Sequence, residues 1–232
     1  MKVVDPVKAA DKARRALLVA GEAAIAEHGF AAVTGRAVEE RAKLGPGVFE
    51  EHFATTADLL RALSQAFAEQ MLVVTEQSTR SGIWKGAPAR DVVEVAVRSI
   101  LDVVLERAGL VRAFLGQSAS DPSLAADLRR AGTHLSSRLV AVMAECSGAP
   151  ARPSRAIAFS LLVAAALAHH TILVGDDWSG VTFSKEQLAE ETSRLVCAYL
   201  GLQPTTAIRE ETPDHARPGM VSAVRPGPSS SG

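Results

Sequence analysis

Apolar residues recur at helical spacing along most of the chain, and no stretch alternates with the period of two that a half-buried strand needs, so the pattern predicts an all-α fold. Over residues 8–28, Ala13, Ala16, Leu17, Ala20, Ala24 and Ile25 form one stripe, with Lys12, Arg15, Glu22 and Glu27 largely off it. Gly29 closes this helix and Phe30 is placed to pack back under it. Thr34 offers an N-cap hydroxyl to about two further turns marked by Ala37, Val38, Arg41 and Ala42. A break follows at Lys43-Leu44-Gly45-Pro46-Gly47. From it a short helix over 46–52 restarts at Pro46, a residue suited to a first helical position, and ends at Phe53. Thr55, with Asp58 three residues on, is a capping box with Asp in place of the usual Glu or Gln. It opens a long helix carrying Leu59, Leu60, Leu63, Phe67 and Met71. A short helix held between two longer ones presents its outer face, as in a helix-turn-helix.

Beyond Ser81-Gly82, a connection containing Trp84 leads through Gly86-Ala87-Pro88 into a second, larger helical domain. Helices are predicted over 88–106, over 110–117, and from Asp121, an N-cap followed by a first-turn proline, to about Cys146. Pro153-Ser154 begins an apolar helix that ends at Gly175-Asp176-Asp177. Ser184 and Gln187 form a second capping box, opening a helix with Leu188, Leu195, Val196 and Tyr199 that stops at Gly201. Five of the eleven prolines fall in the last 29 residues with no hydrophobic periodicity, which predicts a disordered tail. The expected division is 1–54 as a reading domain, 55–202 as a larger helical domain whose connecting helix is 55–80, and 203–232 as the tail.

Composition narrows the function classes. At 232 residues, with 47% hydrophobic and 22% charged, the chain can bury a real core. A net charge of −1 supplies no global attraction to nucleic acid or to an anionic membrane. Residues 1–60 are themselves about neutral, with eight Lys or Arg against nine Asp or Glu. Cys146 and Cys197 form no spacing motif, and no apolar segment follows Lys2 and Lys8, so a reduced cytoplasmic setting without a signal peptide is expected. Residues 156–174 contain no Asp, Glu, Lys or Arg and are long enough to cross ~30 Å of hydrocarbon. Ser160, His169, His170, Thr171 and the abundant Ala point instead to a helix buried in a bundle or at a subunit interface, with no membrane. His169-His170 and Asp176-Asp177 are the only cluster of metal-ligand types, but adjacent histidines diverge by about 100° on a helix, so no metal is expected. With no nucleophile elbow, P-loop, dinucleotide fingerprint or cysteine pair, neither an enzyme nor a cofactor is expected.

Ala20, Ala24, Glu27-His28-Gly29-Phe30, Thr34, Val38, Arg41-Ala42, Leu44, Gly47, His52-Phe53 and Leu59-Leu60 together resemble the N-terminal domain of the TetR family of bacterial transcriptional regulators. They stand in the family's order without insertion. The resemblance implies a three-helix DNA-binding domain joined to a larger helical domain for effector binding and dimerisation. It assigns DNA contacts to Thr34, Arg36, Lys43, Gly45, Pro46, Gly47, Val48, Glu50, Glu51, His52 and Thr56. It also implies a homodimer through the last two long helices and a small-molecule pocket, with Arg112, Phe114, Gln117, His134, Met143, Phe159 and His169 as candidate lining. Three positions depart from the family pattern: Glu39 replaces a small residue, Glu50 an aromatic one, and Thr56 a phosphate-touching Lys. Acidic side chains oppose the phosphate backbone, although Glu can accept from cytosine N4. Two readings therefore stand open: a DNA-binding repressor released by an effector, and a sensor or interaction protein of the same fold that has lost ordinary DNA binding.

Overall fold

A computed structural model of the chain describes residues 6–80, 82–150, 153–175 and 180–202. Among these residues there are nine α-helices, one 3-10 turn and no strand. The order is α1 (Pro6–His28), the 3-10 turn Phe30–Ala32, α2 (Gly35–Ala42), α3 (Val48–His52), α4 (Thr56–Ser78), α5 (Ala89–Glu106), α6 (Ala108–Gln117), α7 (Pro122–Met143), α8 (Pro153–Leu173) and α9 (Lys185–Leu200). The expected tail at 203–232, residues 1–5 and Asp176-Asp177 lie outside the described residues.

The predicted caps form. Thr55 and Asp58 bond reciprocally at the start of α4, Ser184 and Gln187 do so at α9, and Asp121 accepts from the Ser123 amide ahead of α7. Several boundaries differ from expectation, α6 opening at Ala108 and not at 110. α3 opens at Val48 and not at Pro46, because Gly47 takes the left-handed conformation (φ 89°) and breaks any helical run through it. α7 ends at Met143, short of Cys146, because the chain beyond it is used elsewhere. The Glu145 carbonyl accepts from Gly86 N at 2.9 Å, and Ser147 exchanges backbone bonds with Ala87 and Ala89. This stitching, together with the Trp84 indole donating to the Ser78 carbonyl at 2.7 Å, closes the end of α4.

Two apolar clusters hold the chain. The first gathers Leu17 and Ile25 from α1, Val38 from α2, Phe49 from α3, Leu59, Leu60, Leu63 and Phe67 from α4, and Leu110, Val111 and Phe114 from α6. α1 with the short α2 and α3 encloses little apolar surface by itself, and here α6 and the first half of α4 complete the core. The second cluster joins α5, α7, α8 and α9 through Val93, Val97, Leu101, Leu139, Met143, Ile157, Ala168 and Val196. α4 leaves the first cluster after Phe67 and runs along α7, where Glu76 meets His134 at 2.7 Å and Arg138 donates to the Thr79 carbonyl at 2.7 Å. By length and composition α8 could cross a membrane, with mean hydropathy 1.9 over Ser154–Leu173. It packs instead on α5, α6, α7 and α9. Only 28% of its apolar window is buried in a single chain, so one face lacks a cover.

Candidate nucleic-acid interface

The reading segment is built by short-range bonds from α2. Thr34 accepts from the Ala37 amide at 3.2 Å and starts that helix. Lys43 ends it in the left-handed conformation (φ 56°), and Leu44 N then donates to the Glu39 carbonyl at 3.0 Å. α3 has no side-chain cap of its own, since its N-cap is Gly47. Its Phe49 amide donates to the Glu39 carboxylate at 2.8 Å. The Phe49 ring lies against Gly35, where a Cβ would come within 2.7 Å of it, and beside Phe53 at 5.6 Å between centroids. The Arg14 guanidinium covers Phe53 at 5.5 Å, so this cation braces the core.

Thr34, Arg36, Lys43, Gly45, Pro46, Gly47, Glu50 and Glu51 are exposed, and Val48, His52 and Thr56 are half-buried. The turn and α3 thus present the predicted contact residues outward. Among the cations, Arg36 is spoken for by Glu40 at 2.9 Å, and Arg41 by Glu27 on α1. The Arg41 hydrogen bonds hold the Glu27 carboxyl below the ordinary carboxylate range. Among the described residues Lys43, Glu50 and Glu51 have no ion pair. Lys12 and Lys43 line one open cleft of about 580 Å³ together with Ala13, Ala16 and Leu44. Linear sequence hid this pairing, since the two lysines are far apart along the chain.

The seven candidate effector residues do not converge. Arg112 donates from Nε to the Ile172 carbonyl at 3.0 Å, capping the end of α8. Phe114 is fully buried, edge-on to Phe67 at 5.8 Å. The Gln117 carbonyl accepts from Asp121 N at 2.8 Å where α6 turns into α7. His134 is bonded to Glu76. Phe159 is exposed beside Tyr199 at 5.0 Å, on the outer face of α8 and α9. His169 is half-buried, and burial pushes its imidazole below the ordinary value. Phe159 also borders a surface groove of about 80 Å³ with Val163, Leu195 and Tyr199, while Met143 lines a cavity inside the second domain. That cavity, of about 30 Å³, is bounded by Val93, Val97, Met143, Ile157, Ala164 and Leu200. A second, of about 20 Å³, lies against Met71, Val74, Thr75 and Thr79 of the α4 end, and Ala96, Ile100 and Leu139 are walls of both. These are ordinary apolar helix positions, which no local signal distinguishes from core. Among the described residues no group of three potential metal ligands occurs.

A short helix with an exposed outer face, packed on α2 and α1 beside a larger helical body, is the build of a helix-turn-helix domain. Residues 17–63 match the model of the bacterial regulatory proteins of the tetR family, so the N-terminal domain is similar to the helix-turn-helix domain of that family. Solved structures share the fold. A transcriptional regulator from Rhodococcus sp. Rha1 is 20% identical, with 81% of this chain and 96% of that one covered and a TM-score of 0.64. A tetR-family protein from Rhodococcus RHA1 is 20% identical, with coverage of 83% and 98% and a TM-score of 0.62. A protein of Mesorhizobium loti ascribed to the TetR family is 16% identical, with coverage of 83% and 96% and a TM-score of 0.65. No curated protein matches the chain in sequence.

Proposed function

We propose that the chain is a cytoplasmic repressor that binds a double-stranded operator as a homodimer and is released by a small-molecule effector. The observation that carries the DNA reading is the outward presentation of α3 with the turn residues Gly45, Pro46 and Gly47, flanked by the unpaired Lys43. Dimerisation through α8 and α9 is supported by their uncovered apolar face, where Phe159, Leu162, Leu195 and Tyr199 are between 47% and 64% exposed. The experiment is capture of genomic fragments by the full chain at about 50 mM salt, followed by sequencing, because non-specific phosphate contacts are strongest there. Recovery of discrete fragments sharing a palindrome supports the reading, since palindromy mirrors a two-fold dimer. Recovery of none favours the second reading, a sensor without ordinary DNA binding, whose motivating observation is that Glu50 and Glu51 stand exposed on α3 without a cation.

The effector is neutral and predominantly apolar. No charged side chain lines either cavity of the second domain. The hydroxyls of Ser78, Thr79 and Ser160 already donate to the carbonyls of Val74, Thr75 and Ala156. A charged ligand would be desolvated there without a partner. Drug-sized ligands occupy about 300–1,000 Å³, so an effector must part Ile100 and Leu139 and press on the end of α4, which carries the reading segment at its other end. In a thermal-shift series, neutral hydrophobic compounds are expected to raise the melting temperature and charged analogues of the same size to leave it unchanged. The reverse order would refute this effector class.

A further inference from the structure

Glu39 is the only charged residue buried among the described residues, at 5% exposure. It makes no ion pair there. Burying a lone carboxylate is destabilising unless something compensates it. Its visible compensation is the start of α3, where Oε1 accepts the Phe49 amide at 2.8 Å. That helix is five residues long and its N-cap, Gly47, has no side chain to offer. Phe49 itself is 3% exposed, so without Glu39 its amide would be buried with no water to replace the bond.

We infer that Glu39 is the cap of the recognition helix, supplied by α2 across the turn, and that it positions α3 for DNA. The inference rests on the reading that α3 contacts the duplex. A cap normally comes from the residue that begins the helix. Here it comes from ten positions upstream, so one side chain fixes both the separation and the rotation of the two helices. The Glu39 carbonyl, which takes the Leu44 amide at 3.0 Å, holds the turn between them from the same residue. Val48, Glu51 and His52 inherit their presentation from this bond. It also removes Glu39 from the acidic groups that face phosphate.

The test compares the full-length protein with Glu39→Ala, Glu39→Gln and Glu39→Met. Amide exchange is followed at Phe49 and in α5 and α7, and affinity is measured for sheared genomic duplex at about 50 mM salt. Glu39→Ala is expected to speed exchange at Phe49 roughly tenfold, within the range found for lost caps, while α5 and α7 stay protected. Affinity is expected to fall by a similar factor. Glu39→Gln keeps an acceptor of the same length and should restore both readouts, whereas Glu39→Met, of similar length but without the acceptor oxygen, should behave as Glu39→Ala. Unchanged exchange at Phe49 in Glu39→Ala overturns the cap. Faster exchange with unchanged affinity overturns its role in positioning α3 for DNA. If the wild type itself retains no duplex, the underlying DNA reading fails, and the exchange result still decides the cap separately.

Discussion

Replacing Gly109 by Ala tests how closely α6 rides on α1. A methyl group there would lie 2.8 Å from the Ala26 Cα and 3.4 Å from its Cβ, roughly 1 Å inside the ~3.5–4.0 Å at which carbon atoms rest. The obstacle is backbone, so no rotamer change relieves it and the two helices must part. Overpacking of this kind costs about 1–3 kcal/mol. Ala recovers up to ~1 kcal/mol of helix propensity in a helix interior, and less at Gly109, which is the second residue of α6. The net expectation is a loss of about 1–2 kcal/mol, which lowers Tm by about 2–8 °C in a chain of this size. Gly116→Ala in the same helix is the control. Nothing lies within 4 Å of its Cβ position, so only propensity acts, and the variant should be neutral or up to ~1 kcal/mol more stable. The strain also has a route to function. Arg107 binds Glu22 of α1 at 3.1 Å and Arg112 holds the end of α8, so α6 is tied on both sides. Parting α1 from α6 should therefore weaken capture of genomic fragments in Gly109→Ala and leave it intact in Gly116→Ala. Urea unfolding of both variants decides the matter: equal stabilities would show that α1 and α6 do not touch as described.

Leu162→Glu alters a side chain that is 64% exposed in the single chain, so the monomer should stay folded while the dimer dissociates through an unpaired charge in an apolar interface, at a cost of order several kcal/mol; a dimeric variant in sedimentation velocity, or a monomeric wild type, would refute the assigned face. Replacing Glu50 by Tyr and Thr56 by Lys together should raise non-specific DNA affinity and steepen the slope of log affinity against log salt by about 1 for the added phosphate contact; an unchanged slope would place Thr56 away from the backbone. Burial lowers the His169 pKa in the folded chain, so below about pH 6.5 the unfolded chain binds a proton that the folded one refuses. Stability then rises with pH through that window and is lost as pH falls. His169→Gln should flatten the difference between urea midpoints at about pH 5 and 7, and an equal dependence in both proteins would mean that another group is responsible.

What the sequence determined by itself was the set of signals that act within three or four residues. The Thr55–Asp58 and Ser184–Gln187 boxes, the Asp121-Pro122 start and the helix-period stripes all formed, because a cap and its amide are held close by the chain whatever surrounds them. The motif order from Gly29 to Leu60 was legible for the same reason. The exception among local signals, the start of α3, turned on the left-handed Gly47, where a proline's preference could not override the neighbouring backbone. What only the tertiary structure decided were pairings between distant residues. Glu39 read as one of the departures that count against DNA binding, yet its carboxylate turned inward to an amide on the next helix. Arg112, His134 and Phe114 read as candidate lining, yet they meet the Ile172 carbonyl, Glu76 and Phe67. The apolar stretch over 156–174 announced burial, but which side of α8 lies against α5 and α7, and which stays open beside Tyr199, depended on how the helices rotate when they pack. Polar and apolar side chains carry the same local preferences in either role. Their partners are chosen by the three-dimensional closure of the helices, which brings together positions that no spacing along the chain relates.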